Sequence, residues 1–373
     1  MIVSIFIIIS SIYFIFLFKV IVSLRNINKK HAYQNNVDEY ISVIIPFRNE
    51  SKNILKNLES IYKLCFDKNK YEVIYIDDNS EDDTALKLKK NIKEDNIRVL
   101  EYKNDKLKGK KNAVKFAINN CKGELIFTTD ADCIVQKDWL KETVRLFDKE
   151  TAFVSGIVKF SDKDSLWNKL QQLEFSGLVL VGGGLILAGY PTICNAANLA
   201  FRKSVFLEVG GFDDNLHLSS GDDELLMQKI ALLKKYKIKF LFNKNTVVST
   251  HPNNTLKDFY YQRVRWASKG FHYQNPLLIL FLITIYMFFL SFPLLFLLGV
   301  FVNKIYIGIF IFNFLIKFIL ERKILLFGKD VLFNEFNAGL IVIAEVLHIP
   351  YIIIAGFMGT FGKFRWKGSK HNK

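Results

Sequence analysis

The chain has 373 residues, of which 50% are hydrophobic, 14% aromatic and 23% charged. That is too apolar for an ordinary soluble domain and too charged for a pure membrane bundle, so a soluble domain with membrane segments is expected. The formal net charge of +15 accompanies long apolar runs and is assigned to an anionic lipid surface rather than to nucleic acid; the scattered cysteines Cys65, Cys121, Cys133 and Cys194 have no C-x-x-C spacing, which speaks against a zinc site or disulfide framework and fits a reducing cytosol.

Ile2 to Leu24 is almost continuously apolar, long enough for a bilayer crossing of roughly 20 residues. No basic segment precedes it and no small-residue cleavage motif follows, so an anchor is expected rather than a cleaved signal peptide. Arg25, Lys29 and Lys30 follow it and belong on the cytoplasmic side by the positive-inside rule. Residues 26–39 read as a polar linker.

The soluble part opens with Ile41-Ser42-Val43-Ile44-Ile45-Pro46-Phe47-Arg48-Asn49-Glu50. Val43 to Ile45 lacks alternation, as in a strand covered on both faces, and Pro46 is expected to stop it. Ser51 is expected to cap a helix whose apolar positions Ile54, Leu55, Leu58, Ile61 and Leu64 recur at helical spacing. A strand over 71–76 ends in Asp77-Asp78-Asn79-Ser80, a helix covers 84–92 and a third strand 97–102. Lys108-Gly109-Lys110-Lys111 leads into a helix over 112–120. The alternation predicts an α/β domain with a mainly parallel sheet. A dinucleotide-binding domain would need G-x-G-x-x-G after the first strand, and Pro46-Phe47-Arg48-Asn49-Glu50 stands there instead.

Leu125-Ile126-Phe127-Thr128-Thr129-Asp130-Ala131-Asp132 is a buried strand ending in two carboxylates one residue apart. If strand geometry persists, Asp130 and Asp132 project from one face. They repel each other unless a cation lies between them, and a hard divalent ion, Mg²⁺ or Mn²⁺, suits oxygen ligands that leave positions open for phosphates. Further along, 138–147 reads as a helix and 153–160 as one strand. Residues 165–188, with Gly182-Gly183-Gly184, read either as a core helix plus a loop or as a stretch lying on the membrane surface; the surface reading is preferred. Gly210-Gly211-Phe212-Asp213 is a turn. Ser219-Ser220-Gly221-Asp222-Asp223-Glu224 opens a helix over 225–234, where acids suit the helix dipole. Strands around 239–242 and 246–250 lead to His251-Pro252. On the helix that follows, Gln262, Arg265 and Trp266 are spaced to share one face, suited to a diphosphate beside a stacked ring or to anchoring at a lipid surface.

From Pro276 the chain is membrane-like: 277–302 spans easily, 305–320 is shorter and carries Lys317, and 339–361 carries Glu345, His348 and Pro350. Intramembrane ionisable residues are expected to face the protein interior or water. Three crossings would put the basic tail (Lys363, Arg365, Lys367, Lys370, Lys373) outside, against the positive-inside rule, so two or three spans are expected. The resulting organisation is an anchor and linker over 1–37, a cytoplasmic domain over 38–270 and a C-terminal membrane region over 271–373.

In order, the chain carries Val43-Ile44-Ile45-Pro46-x-x-Asn49-Glu50, Asp77-Asp78-Asn79-Ser80, Gly109-Lys110 before a helix, Asp130-x-Asp132, Gly221-Asp222-Asp223 and Gln262-x-x-Arg265-Trp266. This set resembles a membrane-bound family 2 glycosyltransferase with the GT-A fold, over roughly residues 41–270. The resemblance implies that Asp78 of the Asp77-Asp78 pair contacts a uracil ring, with Pro46, Arg48 and Glu50 in the same nucleotide site and Lys110 close to it. It implies that Asp130 and Asp132 hold the ribose and the metal on the diphosphate. Asp223 matches the general base, with Asp222 in place of the usual Glu beside the acceptor. Gln262 and Arg265 match the grip on the diphosphate, and Trp266 borders the acceptor. Two departures stand out: Ala196-Ala197-Asn198 replaces the usual Gly-x-Asn, and His251 stands where many relatives have an acid, as a candidate metal ligand.

The implied reaction is inverting transfer of a sugar from a nucleotide diphosphate sugar, taken as a UDP-sugar, to a lipid or lipid-linked glycan at a bacterial-type inner membrane. A carboxylate can take the proton of the attacking hydroxyl, and the leaving diphosphate gains charge that metal, Lys110 and Arg265 would stabilise. A processive polysaccharide synthase subunit is the alternative, since Gln-x-x-Arg-Trp is frequent there, though such enzymes usually need more helices. A membrane-tethered nucleotide-sugar-binding module without turnover is a third reading, disfavoured by the intact Asp223 and Asp-x-Asp.

Overall fold

The computed structural model describes residues 2–25, 27, 38–103, 109–161, 164–216, 221–362, 364–366 and 369–371. Asn26 and residues 28–37 of the expected linker, Lys108, Ser219, Ser220, and Lys363, Lys367 and Lys373 of the tail lie outside them. In chain order the elements are α1 (Ile2–Arg25), β1 (Ile41–Phe47), α2 (Ile54–Tyr62), β2 (Tyr71–Asp77), α3 (Thr84–Asn91), β3 (Ile97–Glu101), α4 (Lys110–Asn119) and β4 (Leu125–Thr128). There follow α5 (Trp139–Val144), β5 (Thr151–Gly156), β6 (Val158–Phe160), α6 (Leu166–Leu187), β7 (Leu199–Arg202), α7 (Lys203–Glu208), α8 (Asp222–Leu232), β8 (Lys237–Leu241) and β9 (Val248–Thr250). The last are α9 (Leu256–Ala267), α10 (Pro276–Phe301), α11 (Ile305–Phe327), α12 (Lys329–Leu332), α13 (Ala338–Phe361), β10 (Phe364–Trp366) and β11 (Ser369–His371). They form two compact units: an α/β unit, Asn26–Ser161 with Leu185–His251, and a helical unit, Met1–Arg25 with Asp162–Gly184 and Pro252–Lys373.

The α/β unit is built on a seven-stranded sheet of order β3-β2-β1-β4-β7-β5-β8. The β1/β2, β2/β3, β1/β4 and β5/β8 pairs are parallel, while β7 runs antiparallel to both β4 and β5. All seven residues of β1 are buried, which explains its unbroken apolar run: a parallel strand covered on both faces has no solvent side to supply. The chain winds outward from β1 through β2 to β3, then returns to lay β4 on the other side of β1. That reversal opens a crevice at the strands' carboxyl ends, where open α/β sheets place their ligands.

Three local expectations fail for physical reasons. β1 does not stop at Pro46 but runs on to Phe47. Pro46 pairs with Ile76 of β2, whereas β4 has run out opposite Ile44, so the missing N–H falls where no ladder partner waits. Ser51 does not cap α2: the cap position is Asn53, without a side-chain bond, and the Ser51 hydroxyl instead donates to Asp83. Residues 153–160 are not one strand, because Gly156 ends β5 and β6 pairs in a separate small sheet with β9.

α6 is one unbroken helix of 22 residues, so the loop that the alternative core-helix reading placed at Gly182-Gly183-Gly184 is absent. Gly184 lies against Val20 of α1, closer than a Cβ would allow, and small residues let helix backbones approach. α11 is longer than the expected 305–320, at 23 residues or roughly 35 Å at 1.5 Å per residue. Among the described residues four helices (α1, α6, α10 and α13) are long and apolar enough to cross a membrane. The ionisable residues Lys317 of α11 and Glu345 of α13 are buried. Lys317 is fully buried, pairs with Glu345, and has Glu321 at 3.1 Å. Glu321 in turn accepts from the Tyr13 hydroxyl at 2.5 Å and lies 3.2 Å from His348 Nδ1.

Candidate active site

The crevice between β1 and β4 holds most of the expected residues. β4 ends at Thr128, so Asp130 and Asp132 do not share a strand face as the period-two reading required. A turn brings them together instead. The Cys133 N–H donates to the Asp130 carbonyl at 3.0 Å, and carboxylate oxygens of Asp130 and Asp132 and Cys133 Sγ all lie within 4.8 Å of one another. Asp132 also accepts from the Thr250 hydroxyl at 3.2 Å. Burial, then the charges of Asp130 and Glu50, push the Asp132 carboxyl above its usual value. Burial first, then Asp132 and Asp130, pushes the Cys133 thiol well up. The converging carboxylates form a hard oxygen donor set that fits a divalent cation of the magnesium or manganese type.

Lys110 opens α4 behind Gly109, whose φ of 121° is one that residues with a Cβ rarely adopt. Its ammonium lies 2.6 Å from Asp130 Oδ1 and 3.7 Å from Asp222 Oδ2. Burial works against that charge, but Asp130 and Asp222, followed by Asp223, outweigh it and hold the lysine above its usual range. Asp222 and Asp223 begin α8 after Gly221 in the left-handed region (φ 87°), a position that favours carboxylates beside unpaired N–H groups. Asp223 Oδ2 accepts from the Ala196 N–H at 3.0 Å and Oδ1 from the Glu224 N–H at 2.8 Å. Both oxygens are thereby oriented, and each keeps a lone pair for a further donor. Lys110, Asp130, Asp222 and Asp223 line one recess with Pro46, walled by Phe201, Phe212 and Leu226.

Asp78 follows β2 and is buried, which raises its carboxyl above the usual range against the opposing Gly109 N–H; that N–H donates to its Oδ1 at 3.0 Å. Arg48 faces Glu81 at 3.7 Å and its charge acts on Asp78. Asp77 holds the turn by accepting from the Ser80 N–H at 2.9 Å, and Glu50 accepts from Asn53 Nδ2 at 2.9 Å. Asn49, to which sequence reading assigns no role beyond its place in the opening motif, takes a left-handed φ of 56° and accepts from the Glu81 N–H at 2.8 Å, lacing this loop to the β2–α3 loop. Left-handed backbone favours Asn among non-glycine residues, which was the available signal.

The remaining expected residues stand elsewhere. His251 is exposed, with Nδ1 at 3.2 Å from Ser161 Oγ, and among the described residues it is not grouped with Asp130 and Asp132. Asn198, in the departing Ala196-Ala197-Asn198 stretch, is a buried tie: it accepts from Trp139 Nε1 at 2.9 Å and donates to the Ile157 and Thr246 carbonyls at 2.8 and 3.0 Å. Gln262, Arg265 and Trp266 lie on α9, in the helical unit. There Gln262 accepts from Asn253 Nδ2 at 2.8 Å. The neighbouring Arg263, which sequence reading passed over, is 2% exposed, pairs with Glu174, and stacks its guanidinium 4.3 Å from the Trp266 ring.

Comparison with known proteins agrees with this geometry. The glycosyl transferase family 2 model matches residues 42–210. A beta-monoglucosyldiacylglycerol synthase of Nostoc sp. is 27% identical over 235 residues, 62% of this chain and 49% of that protein. An undecaprenyl-phosphate 4-deoxy-4-formamido-L-arabinose transferase of Edwardsiella ictaluri is 26% identical over 168 residues, 45% of this chain and 50% of that protein. The chain thus spans about half the length of these curated relatives. The mannosyltransferase PcManGT from Pyrobaculum calidifontis, solved with GDP-Man and Mn²⁺, superposes with a TM-score of 0.58 at 17% identity, covering 95% of this chain and 98% of that one. At that identity the likeness speaks for the fold alone. Residues 42–210 thus match the glycosyl transferase family 2 model, and the sheet has the GT-A fold.

Proposed function

We propose that the protein is an inverting, membrane-held glycosyltransferase that moves a sugar from a nucleotide diphosphate sugar, a UDP-sugar, to a lipid or lipid-linked glycan. The reading is carried by one observation: Asp130, Lys110, Asp222 and Asp223 line a single recess at the reversal point of the sheet. Asp78, with Arg48 and Pro46, would receive the base. Asp130 and Asp132 would hold Mg²⁺ or Mn²⁺, which when bound supplies positive charge against the departing diphosphate. Lys110 supplies a fixed cation on the same side of the recess. Asp223 takes the proton of the acceptor hydroxyl. The four apolar helices and the lipid-named relatives support a membrane site and a lipid-borne acceptor, with the catalytic domain cytoplasmic. Incubating purified protein with a panel of radiolabelled UDP-sugars and membrane lipid extract tests this, with the labelled product expected in the lipid fraction. No labelled product from any donor would overturn it.

Donor binding should depend on a divalent metal and on Asp132. Calorimetry of UDP with Mn²⁺ is expected to give binding that EDTA and Asp132→Ala each abolish, and equal affinity with and without EDTA would sink the metal assignment. Trp266 is assigned to the acceptor side. Trp266→Ala in detergent is expected to lose transfer while UDP binding persists, whereas a mere lipid anchor would keep most of its activity once no bilayer is present.

A further inference from the structure

The turn that carries Asp130 and Asp132 is held from beneath by a buried polar pair that the reaction itself does not use. Asn57 lies in the middle of α2 and is 1% exposed. Its Nδ2 donates to the Cys133 carbonyl at 2.7 Å and to the Asp130 carbonyl at 3.2 Å, the two ends of the turn. Its Oδ1 accepts from the Tyr75 hydroxyl at 2.7 Å, and Tyr75 on β2 is fully buried. One α2 turn further on, Ser60 Oγ accepts from the Val135 N–H at 3.3 Å.

This arrangement fixes which way the amide faces. Two carbonyls demand the amino group, and the tyrosine hydroxyl, with the oxygen as its partner, locks the opposite side. A polar residue in a core helix costs stability unless it is fully satisfied, and here the side-chain bonds of Asn57 go to the turn and to the hydroxyl that orients it. We propose that Asn57 and Tyr75 are positioning residues that set the separation of the Asp130 and Asp132 carboxylates for a divalent cation. Carboxylates brought together by a turn rather than a strand have no ladder to fix their spacing, and the Asn57 amide supplies the missing constraint. The inference rests on the metal-dependent reading above.

The test is Mn²⁺ affinity of the full chain in detergent with UDP present, read as the free-ion signal by electron paramagnetic resonance. Asn57→Ala is expected to weaken Mn²⁺ binding about 10-fold, in the range known for loss of groups that orient metal ligands. Tyr75→Phe, which removes only the hydroxyl and leaves both bonds from Asn57 to the turn, is expected to weaken it measurably but by less than Asn57→Ala. The control is Tyr62→Phe. Tyr62 closes the same helix and binds the Asn91 carbonyl and Lys93 N–H, both at 2.9 Å, but not the turn, and its loss is expected to leave Mn²⁺ affinity unchanged. Wild-type affinity in both Asn57→Ala and Tyr75→Phe, or an equal loss in Tyr62→Phe, would overturn the positioning role. If Asn57→Ala fails to fold, Tyr75→Phe decides alone. A wild-type chain that binds UDP but no Mn²⁺ would overturn the metal reading and this inference with it, an outcome distinct from the others.

Discussion

Asp223→Asn should abolish sugar transfer while leaving UDP affinity within a few-fold of wild type. The substitution keeps volume and shape and removes the charge that accepts a proton. A general base is worth about 10²–10⁴ in rate, so a residual below a hundredth of wild-type turnover is expected. The structure adds a constraint on interpretation. Both Asp223 oxygens accept backbone N–H bonds, from Ala196 and Glu224, and an asparagine turns one of them into a donor facing a donor. That clash, with the lost charge at the start of α8, costs stability on the order of 1–3 kcal/mol. A thermal melt must therefore accompany the assay. A folded mutant with intact UDP binding and lost transfer identifies the base. Near-wild-type turnover would return Asp223 to the role of a helix-terminal acid.

The parts of this protein legible in sequence are those where chemistry and secondary structure coincide in one short stretch. The unbroken apolar runs of β1 and β4 announced buried parallel strands, and acids at their ends and at the start of α8 announced the crevice, because carboxylates standing at element termini are exposed to the same few positions of the fold. What escaped notice were polar residues whose partners lie far along the chain. Asn57 in α2 looks like part of a solvated helix face, yet it reaches residues 130 and 133. Arg263 sits one place from the motif Gln262-x-x-Arg265-Trp266, yet it is the buried member, paired with Glu174. Asn198 differs in the same way, tying α5 through Trp139 to the backbone between β5 and β6 at Ile157 and to the turn before β9 at Thr246. Periodicity also misled at the carboxylate pair, since Asp130 and Asp132 lie past the strand's last residue, where alternation no longer applies. The glycines of α6 misled in the opposite sense. They read as a break, but packing against α1 needs small side chains at Gly184, and tertiary contact overrides their weak helix propensity.

Lys317→Met should destabilise the helical unit by about 3–5 kcal/mol, the cost of leaving buried charges without their partner. Lys317 is fully buried near the middle of α11, with Glu345 in direct contact, Glu321 at 3.1 Å and His348 Nδ1 at 3.4 Å. Its ammonium also lies 5.5 Å from the Phe289 ring centroid. Without the lysine two carboxylates face each other among apolar helices, where no water is at hand to solvate them. Glu321 retains the Tyr13 hydroxyl and His348, whereas Glu345 loses the cation it pairs with. Removing that second charge should therefore restore much of the loss. Lys317→Met combined with Glu345→Leu replaces an ion pair by apolar groups, a change that is often neutral or stabilising. Equilibrium unfolding in mixed detergent micelles measures both. If the single variant loses less than about 1 kcal/mol, well under the cost of breaking a buried pair, the cluster is solvated rather than sealed. If the double variant is less stable than the single one, Glu345 contributes stability that does not depend on Lys317, and the pairing described here is wrong.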